Sequence, residues 1–121
     1  MNQFEGDYSM LAFRKSHNLI LYRSTPALFQ NTDIIFHGVY YIDAPLQLSK
    51  FVISTASPEE QVMINQKCHW EVVEQYRTVF RLEMDDYRYF IGAFYYSVLE
   101  NDLGPDETSY HLFPDYTWRE R

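Results

Sequence analysis

Over much of its length the chain alternates apolar and polar residues at a period of two, the period of a half-buried β-strand. The clearest stretch surrounds Asp85-Asp86. Before it, Thr78, Phe80, Leu82 and Met84 alternate with Arg77, Val79, Arg81 and Glu83. After it, Tyr87, Tyr89, Ile91 and Ala93 alternate with Arg88, Phe90, Gly92 and Phe94. A turn at the two aspartates sets Met84 against Tyr87, Leu82 against Tyr89 and Phe80 against Ile91, which makes one apolar face. On the other face Glu83 meets Arg88, a pair that supports the same register while contributing well under ~1 kcal/mol.

Further strands follow from the same pattern. Met10 to Arg14 and Leu19 to Arg23 flank the polar triplet Ser16-His17-Asn18 and predict a hairpin. The run from Ile34 to Ile42 is β-branched and aromatic at both parities, the mark of a strand covered on both faces. Phe51 to Thr55 predicts another strand after the break at Ala44-Pro45. One helix start is well written. Ser57-Pro58-Glu59-Glu60 supplies an N-cap serine, a first-turn proline and a capping-box glutamate. Both carboxylates sit at the positive end of the helix dipole. The helix is expected near 58–67, with Val62, Met63 and Gln66 on its inward edge. A version reaching Tyr76 would use the spacing of Met63, Trp70, Val73 and Tyr76. The shorter one is preferred because Cys68 to Val73 turns apolar and β-branched.

These elements predict an α+β fold dominated by antiparallel sheet, with about six or seven strands, curved or sandwich-like, and one short helix. No linker or repeat interrupts the chain, so 1–121 reads as a single globular domain. Residues 101–121 read as an irregular aromatic and acidic segment packed on it, too apolar for a disordered tail.

Composition narrows the classes. The chain has 121 residues, with 10 Lys and Arg against 17 Asp and Glu, a net charge of −7. Aromatic residues make up 18% of it. The single cysteine excludes an internal disulfide framework and a multi-cysteine zinc site. The uncharged stretch from Tyr89 to Leu99 is shorter than the roughly 18 apolar residues a membrane helix needs. The acidic start, Met1 to Asp7, resembles no secretory leader, and a cytoplasmic location is expected. A negative chain is also a poor binder of phosphate backbones, so neither nucleic acid nor membrane is an expected partner. No phosphate loop, nucleophile elbow, zinc-protease motif or calcium loop occurs, and no cofactor is expected.

Charge is unevenly spread, and this changes the picture most. From Tyr89 to Trp118 there is no Lys or Arg, while Glu100, Asp102, Asp106, Glu107 and Asp115 place five of the net negative charges there. Tyr95, Tyr96, Tyr110, Tyr116 and Trp118 share the stretch. Carboxylates steer a basic protein and aromatic rings anchor it. Glu100, Asp102, Asp106, Glu107, Tyr110, Asp115, Tyr116 and Trp118 are therefore the candidate partner-binding residues. The function this implies is a small soluble, non-enzymatic interaction protein, in an antagonist or immunity-like form, that binds a basic partner. The bland alternative is a solubilising loop, or a segment folded back onto Arg77, Arg81 and Arg88.

Other arrangements carry weaker chemistry. Arg77, Arg81, Arg88, Phe90 and Phe94 share the second hairpin face and make a candidate ligand or homodimer surface. A small-molecule-binding β-barrel or sandwich would line its pocket with Phe36, Tyr40, Phe80 and Tyr89. An enzyme would need His37 or His69 to converge with scattered carboxylates. His17, His37, His69 and His111 share no metal-ligand spacing, so no metal site is expected. Cys68 and His69 would point to opposite faces of a strand, so Cys68 reads as a small hydrophobe and no catalytic residue is assigned.

Overall fold

In the computed structural model, residues 2–14, 18–68 and 78–110 are described. The strands are β1 (Asn2–Arg14), β2 (Leu19–Ala27), β3 (Gln30–His37), β4 (Tyr41–Asp43) and β5 (Gln47–Thr55). The helix α1 (Pro58–Lys67) follows, and β6 (Thr78–Met84), β7 (Tyr87–Ala93) and β8 (Tyr95–Asn101) complete the order. All eight strands form one antiparallel sheet in the order β4-β7-β6-β5-β1-β2-β3-β8. The α+β class expected from the pattern is the class observed.

The β6–β7 register is the one alternation demands: Met84 opposite Tyr87, Leu82 opposite Tyr89, Phe80 opposite Ile91 and Glu83 opposite Arg88. Asp85 takes the left-handed turn conformation (φ 56), which aspartate tolerates better than most side chains. Elsewhere the strands outrun the sequence reading. β1 begins at Asn2 because its first residues pair with β5, Phe4 lying opposite Phe51. β2 runs past the expected end at Arg23, through Pro26 to Ala27.

The expected strand from Ile34 to Ile42 is divided in two at Gly38. Gly38 has φ +67, and a Cβ there would lie 2.7 Å from the Phe94 ring. Phe94 is the single residue between β7 and β8. Its N–H donates to the His37 carbonyl (2.8 Å), and the Tyr40 N–H donates to the Gly92 carbonyl (2.9 Å). Although β4 and β8 end the strand order, β3 and β4 therefore run beside β8 and β7 across these joints, and the sheet curls round on itself.

The curl encloses the main core. Ile20, Tyr22, Ile34, Phe36, Phe51, Ile53, Leu82 and Ile91 point inward and are all but inaccessible. Rings from distant strands meet there. Phe36 lies 6.0 Å from Phe80, and Phe80 meets Tyr96 edge-on at 5.2 Å between centroids. The outer face is covered in two places. Tyr110 seals Leu19, Leu21 and Ile35, while Ile64 of α1 packs with Val79 and Phe90. These two covers explain why β3 and β7 are apolar at both parities.

α1 has the predicted bounds and the full capping box: the Ser57 hydroxyl accepts from the Glu60 N–H, and the Glu60 carboxylate accepts from the Ser57 N–H. Its inward edge differs from expectation. Ile64 and Asn65 are buried, whereas Val62 and Met63 are exposed and Gln66 faces outward. The reason lies in Glu60, whose carboxylate is also fixed by Arg81 on β6 at 3.0 Å and Arg88 on β7 at 3.4 Å. With Glu60 facing the sheet, residues four and eight further on, Ile64 and Cys68, must face it too. The extension to Tyr76 lies outside the described residues.

Two outcomes follow from these contacts. Gly38→Ala adds a left-handed backbone cost of about 1 kcal/mol to a clash with Phe94, so we expect a loss near 2 kcal/mol in urea unfolding. The loss should be smaller in a Phe94→Ala background, because the clash then disappears. For Glu60, burial alone would raise the pKa. The Ser57 hydrogen bonds, with Arg81 and Arg88, nevertheless hold the carboxyl below its ordinary value. A depressed carboxylate stabilises the fold above its unfolded pKa and loses that contribution as pH falls through its folded value. Thermal melts from roughly pH 5 downward should therefore show a shallower acid decline for Glu60→Gln than for the parent chain.

Candidate functional site

Where β2, β3 and β8 run side by side, their outer face changes from apolar to polar. Arg23 on β2 lies opposite Asp33 on β3, and Asn31 on β3 lies opposite Asn101 on β8. The register alone brings these four side chains together. Asp33 is completely buried and Arg23 is 7% exposed. They form a bidentate pair: Nε to Oδ1 at 2.7 Å and Nη2 to Oδ2 at 2.9 Å. Such burial is tolerable only when the remaining donors and acceptors are satisfied. Here Asp33 Oδ2 also accepts from Asn101 Nδ2 (2.8 Å) and from the Ser109 hydroxyl. Arg23 Nη1 donates to the Gly104 carbonyl at 3.0 Å.

The network continues upward. Asn31 Nδ2 donates to Asn101 Oδ1 (2.8 Å) and to the Leu103 carbonyl (2.9 Å), and Asn31 Oδ1 accepts from the Thr25 hydroxyl at 2.8 Å. Gly104, Leu103 and Ser109 all belong to the chain after β8. That segment is thus clasped across the sheet until Tyr110 drops into the outer core, its hydroxyl donating to the Ala12 carbonyl at 3.2 Å. Burial pushes the Tyr110 phenol up, an effect that nearby Arg14 only partly opposes.

Above this clasp the β2–β3 hairpin and the end of β8 enclose an open cleft of about 540 Å³. Pro26, Phe29, Gln30, Thr32, Glu100 and Asp102 line it, with Asn31 and Asn101 as its wall. At the hairpin tip Leu28 is 69% and Phe29 53% exposed. Tyr8, buried in the main core, hydrogen-bonds Thr32 of the lining. Burial raises its phenol pKa, the Thr32 hydrogen bond opposes that, and the charges of Asp33 and Glu100 raise it further.

The candidate residues from the sequence divide sharply. Glu100, Asp102, Asp106 and Glu107 are exposed along and just after the end of β8. Glu107 also accepts from the Gly104 N–H at 3.0 Å. Tyr110, grouped with them as a docking residue, is 3% exposed and belongs to the outer core. It cannot present its ring to a partner while it seals Leu19 and Leu21. Asp115, Tyr116 and Trp118 lie outside the described residues.

α1 covers part of the second hairpin face. Arg81 pairs with Glu60 and with Glu83 (2.9 Å), Arg88 reaches Glu60, and Phe90 packs against the Ile64 layer. Arg77 lies outside the described residues, and Phe94 stays 40% exposed at the β7–β8 joint. Of the pocket residues, Phe36, Phe80 and Tyr89 contribute to the packed interior, while Tyr40 lies over Gly92. His37 is buried and stacked on Tyr95 at 4.3 Å, and His69 lies outside the described residues.

Among the described residues no group of three or more His, Cys, Asp or Glu is placed to hold a metal ion. No helix among them is long and apolar enough to cross a membrane. The sequence reading missed Arg23, Asn31 and Asp33, and it missed the Leu28-Phe29 tip. A signal was present: Arg23 directly follows the apolar run Leu19–Tyr22, and Asp33 directly precedes the apolar run Ile34–Phe36. A charge at such a position needs a partner across the sheet.

Asp33→Asn leaves the buried Arg23 guanidinium without its counter-charge and should cost about 3 kcal/mol in urea unfolding. The double variant Arg23→Met with Asp33→Leu should cost less than Asp33→Asn, since it removes both charges together.

No protein-family model, curated protein or solved structure matches the chain, so its chemistry rests on its own side chains.

Proposed function

We propose that this chain is a non-enzymatic binding domain for a basic protein, acting in the manner of an antagonist or immunity protein. Its docking end is formed by Glu100, Asp102, Asp106 and Glu107. One observation carries the reading. These four carboxylates are exposed, and no Lys or Arg among the described residues pairs with them. Among the described arginines, Arg23 is engaged with Asp33, and both Arg81 and Arg88 with Glu60. On this reading the acidic end presents a field of one sign. A surface of one sign accelerates encounter with an opposite one, and added salt removes the acceleration.

The anchoring role that the aromatic C-terminal residues had in the sequence reading passes in part to other groups. With Tyr110 in the core, exposed Phe29 of the β2–β3 tip lines the same cleft as Glu100 and Asp102 and offers apolar area there.

The quadruple variant Glu100→Gln, Asp102→Asn, Asp106→Asn and Glu107→Gln tests the reading. Proteins captured by the parent chain and lost with this variant should be basic. Their association rate should fall about tenfold or more between low and near-physiological salt. Partners that bind both forms equally, or that bind with no salt dependence, would sink the proposal.

A further inference from the structure

Building on the basic-partner reading, we propose that the β2–β3 hairpin tip and the cleft beside it are the anchor point for an arginine-bearing segment of that partner. The tip is an exposed apolar patch. Phe29 lies at φ 61, a left-handed conformation, and both its ring and the neighbouring Leu28 are exposed. Behind the tip, the cleft of about 540 Å³ is within the size range of sites that take several side chains together.

Its chemistry selects the occupant. Glu100 and Asp102 line the cleft, and no cation among the described residues does. Gln30 adds an amide and Phe29 a ring at the rim. The amides of Asn31 and Asn101 are already committed to each other, to Leu103 and to Asp33, so they form a fixed wall. A guanidinium suits such a cleft on two counts: its planar fork can engage carboxylates bidentately, and its face can lie on an aromatic ring. Lysine offers a point charge with neither the fork nor the flat face. Apolar residues flanking the arginine would cover Leu28 and Pro26. The anchor is therefore a mixed apolar and cationic segment, recognised by shape as well as by charge.

The test uses the full chain, labelled with ¹⁵N, and the peptide acetyl-Leu-Arg-Leu-Arg-Leu-amide. Matched peptides carry lysine or citrulline in place of arginine. We expect saturable amide shifts confined to the hairpin tip and to residues 100–102. The lysine peptide should bind about tenfold more weakly, and the neutral citrulline peptide should produce no saturable shift. Phe29→Gly removes the ring yet suits the left-handed backbone, and Glu100→Gln with Asp102→Asn removes the charges. Each should weaken binding about tenfold, with amide dispersion elsewhere unchanged.

Equal binding of the lysine peptide, or undiminished binding by Phe29→Gly, would overturn the anchor. So would shifts centred on Asp106 and Glu107 with a silent tip, an outcome that leaves the basic-partner reading intact. Absence of any saturable shift overturns the anchor as well, and the basic-partner reading then stands or falls on its own salt titration.

Discussion

The fully buried carboxylate of Asp33 is the constraint around which one half of the molecule is arranged. A bare carboxylate in that position would be prohibitively unfavourable, and one ion pair would not satisfy its lone pairs. Three elements answer it at once: Arg23 from β2, Asn101 from β8 and Ser109 from the segment beyond. Because the guanidinium also holds the Gly104 carbonyl, the chain after β8 has little choice of path. It must cross the outer face of β2 and β3, which carries Tyr110 onto Leu19, Leu21 and Ile35. An apolar outer face and a polar clasp are thus two halves of one arrangement. The clasp fixes the route and the ring fills the end of it.

The other half of the outer face follows the same logic with less burial. There Glu60 is shared between the start of α1 and the sheet. It closes the capping box and reaches Arg81 and Arg88. One carboxylate therefore sets where the helix begins and which side of it meets β6 and β7. The consequence for function is indirect but considerable. A face that mixes arginines with rings resembles a binding surface when read along the chain, and here Arg81 and Phe90 of that face take part in the contact between helix and sheet.

How much was legible in the sequence depends on whether the signal was local. The β6–β7 register was legible because alternation and an opposite-charge pair agree across a short turn. The bounds of α1 were legible because a capping box is written in consecutive residues. The inward edge of α1 was not, since it depends on Glu60 reaching arginines 21 and 28 residues away. Nor was the division of the Ile34–Ile42 run, where Gly38 yields to Phe94, a residue far along the chain. Tyr110 shows the same limit at the functional end. Its neighbours are acidic and exposed, and only contact with Ala12 and Leu19 marks it as core. Composition located the charge, and the carboxylates of Glu100, Asp102, Asp106 and Glu107 are exposed, yet it could not separate them from the buried ring of Tyr110.

The clasp also bears on how the exposed end can work. Binding loses affinity when a surface must be ordered on contact, and carboxylates on mobile chain lose much of their steering geometry. Glu100 and Asp102 escape that cost because they flank Asn101, whose amide is tied to Asp33 and Asn31. The rim of the cleft is built beside this hydrogen-bonded network. On the proposed reading, steering and anchoring would have separate sources: the exposed carboxylates would supply a field that acts before contact, and Leu28 with Phe29 apolar area that acts after it. Salt weakens the first and leaves the second, so an interface made this way should lose association rate with ionic strength well before it loses its lifetime.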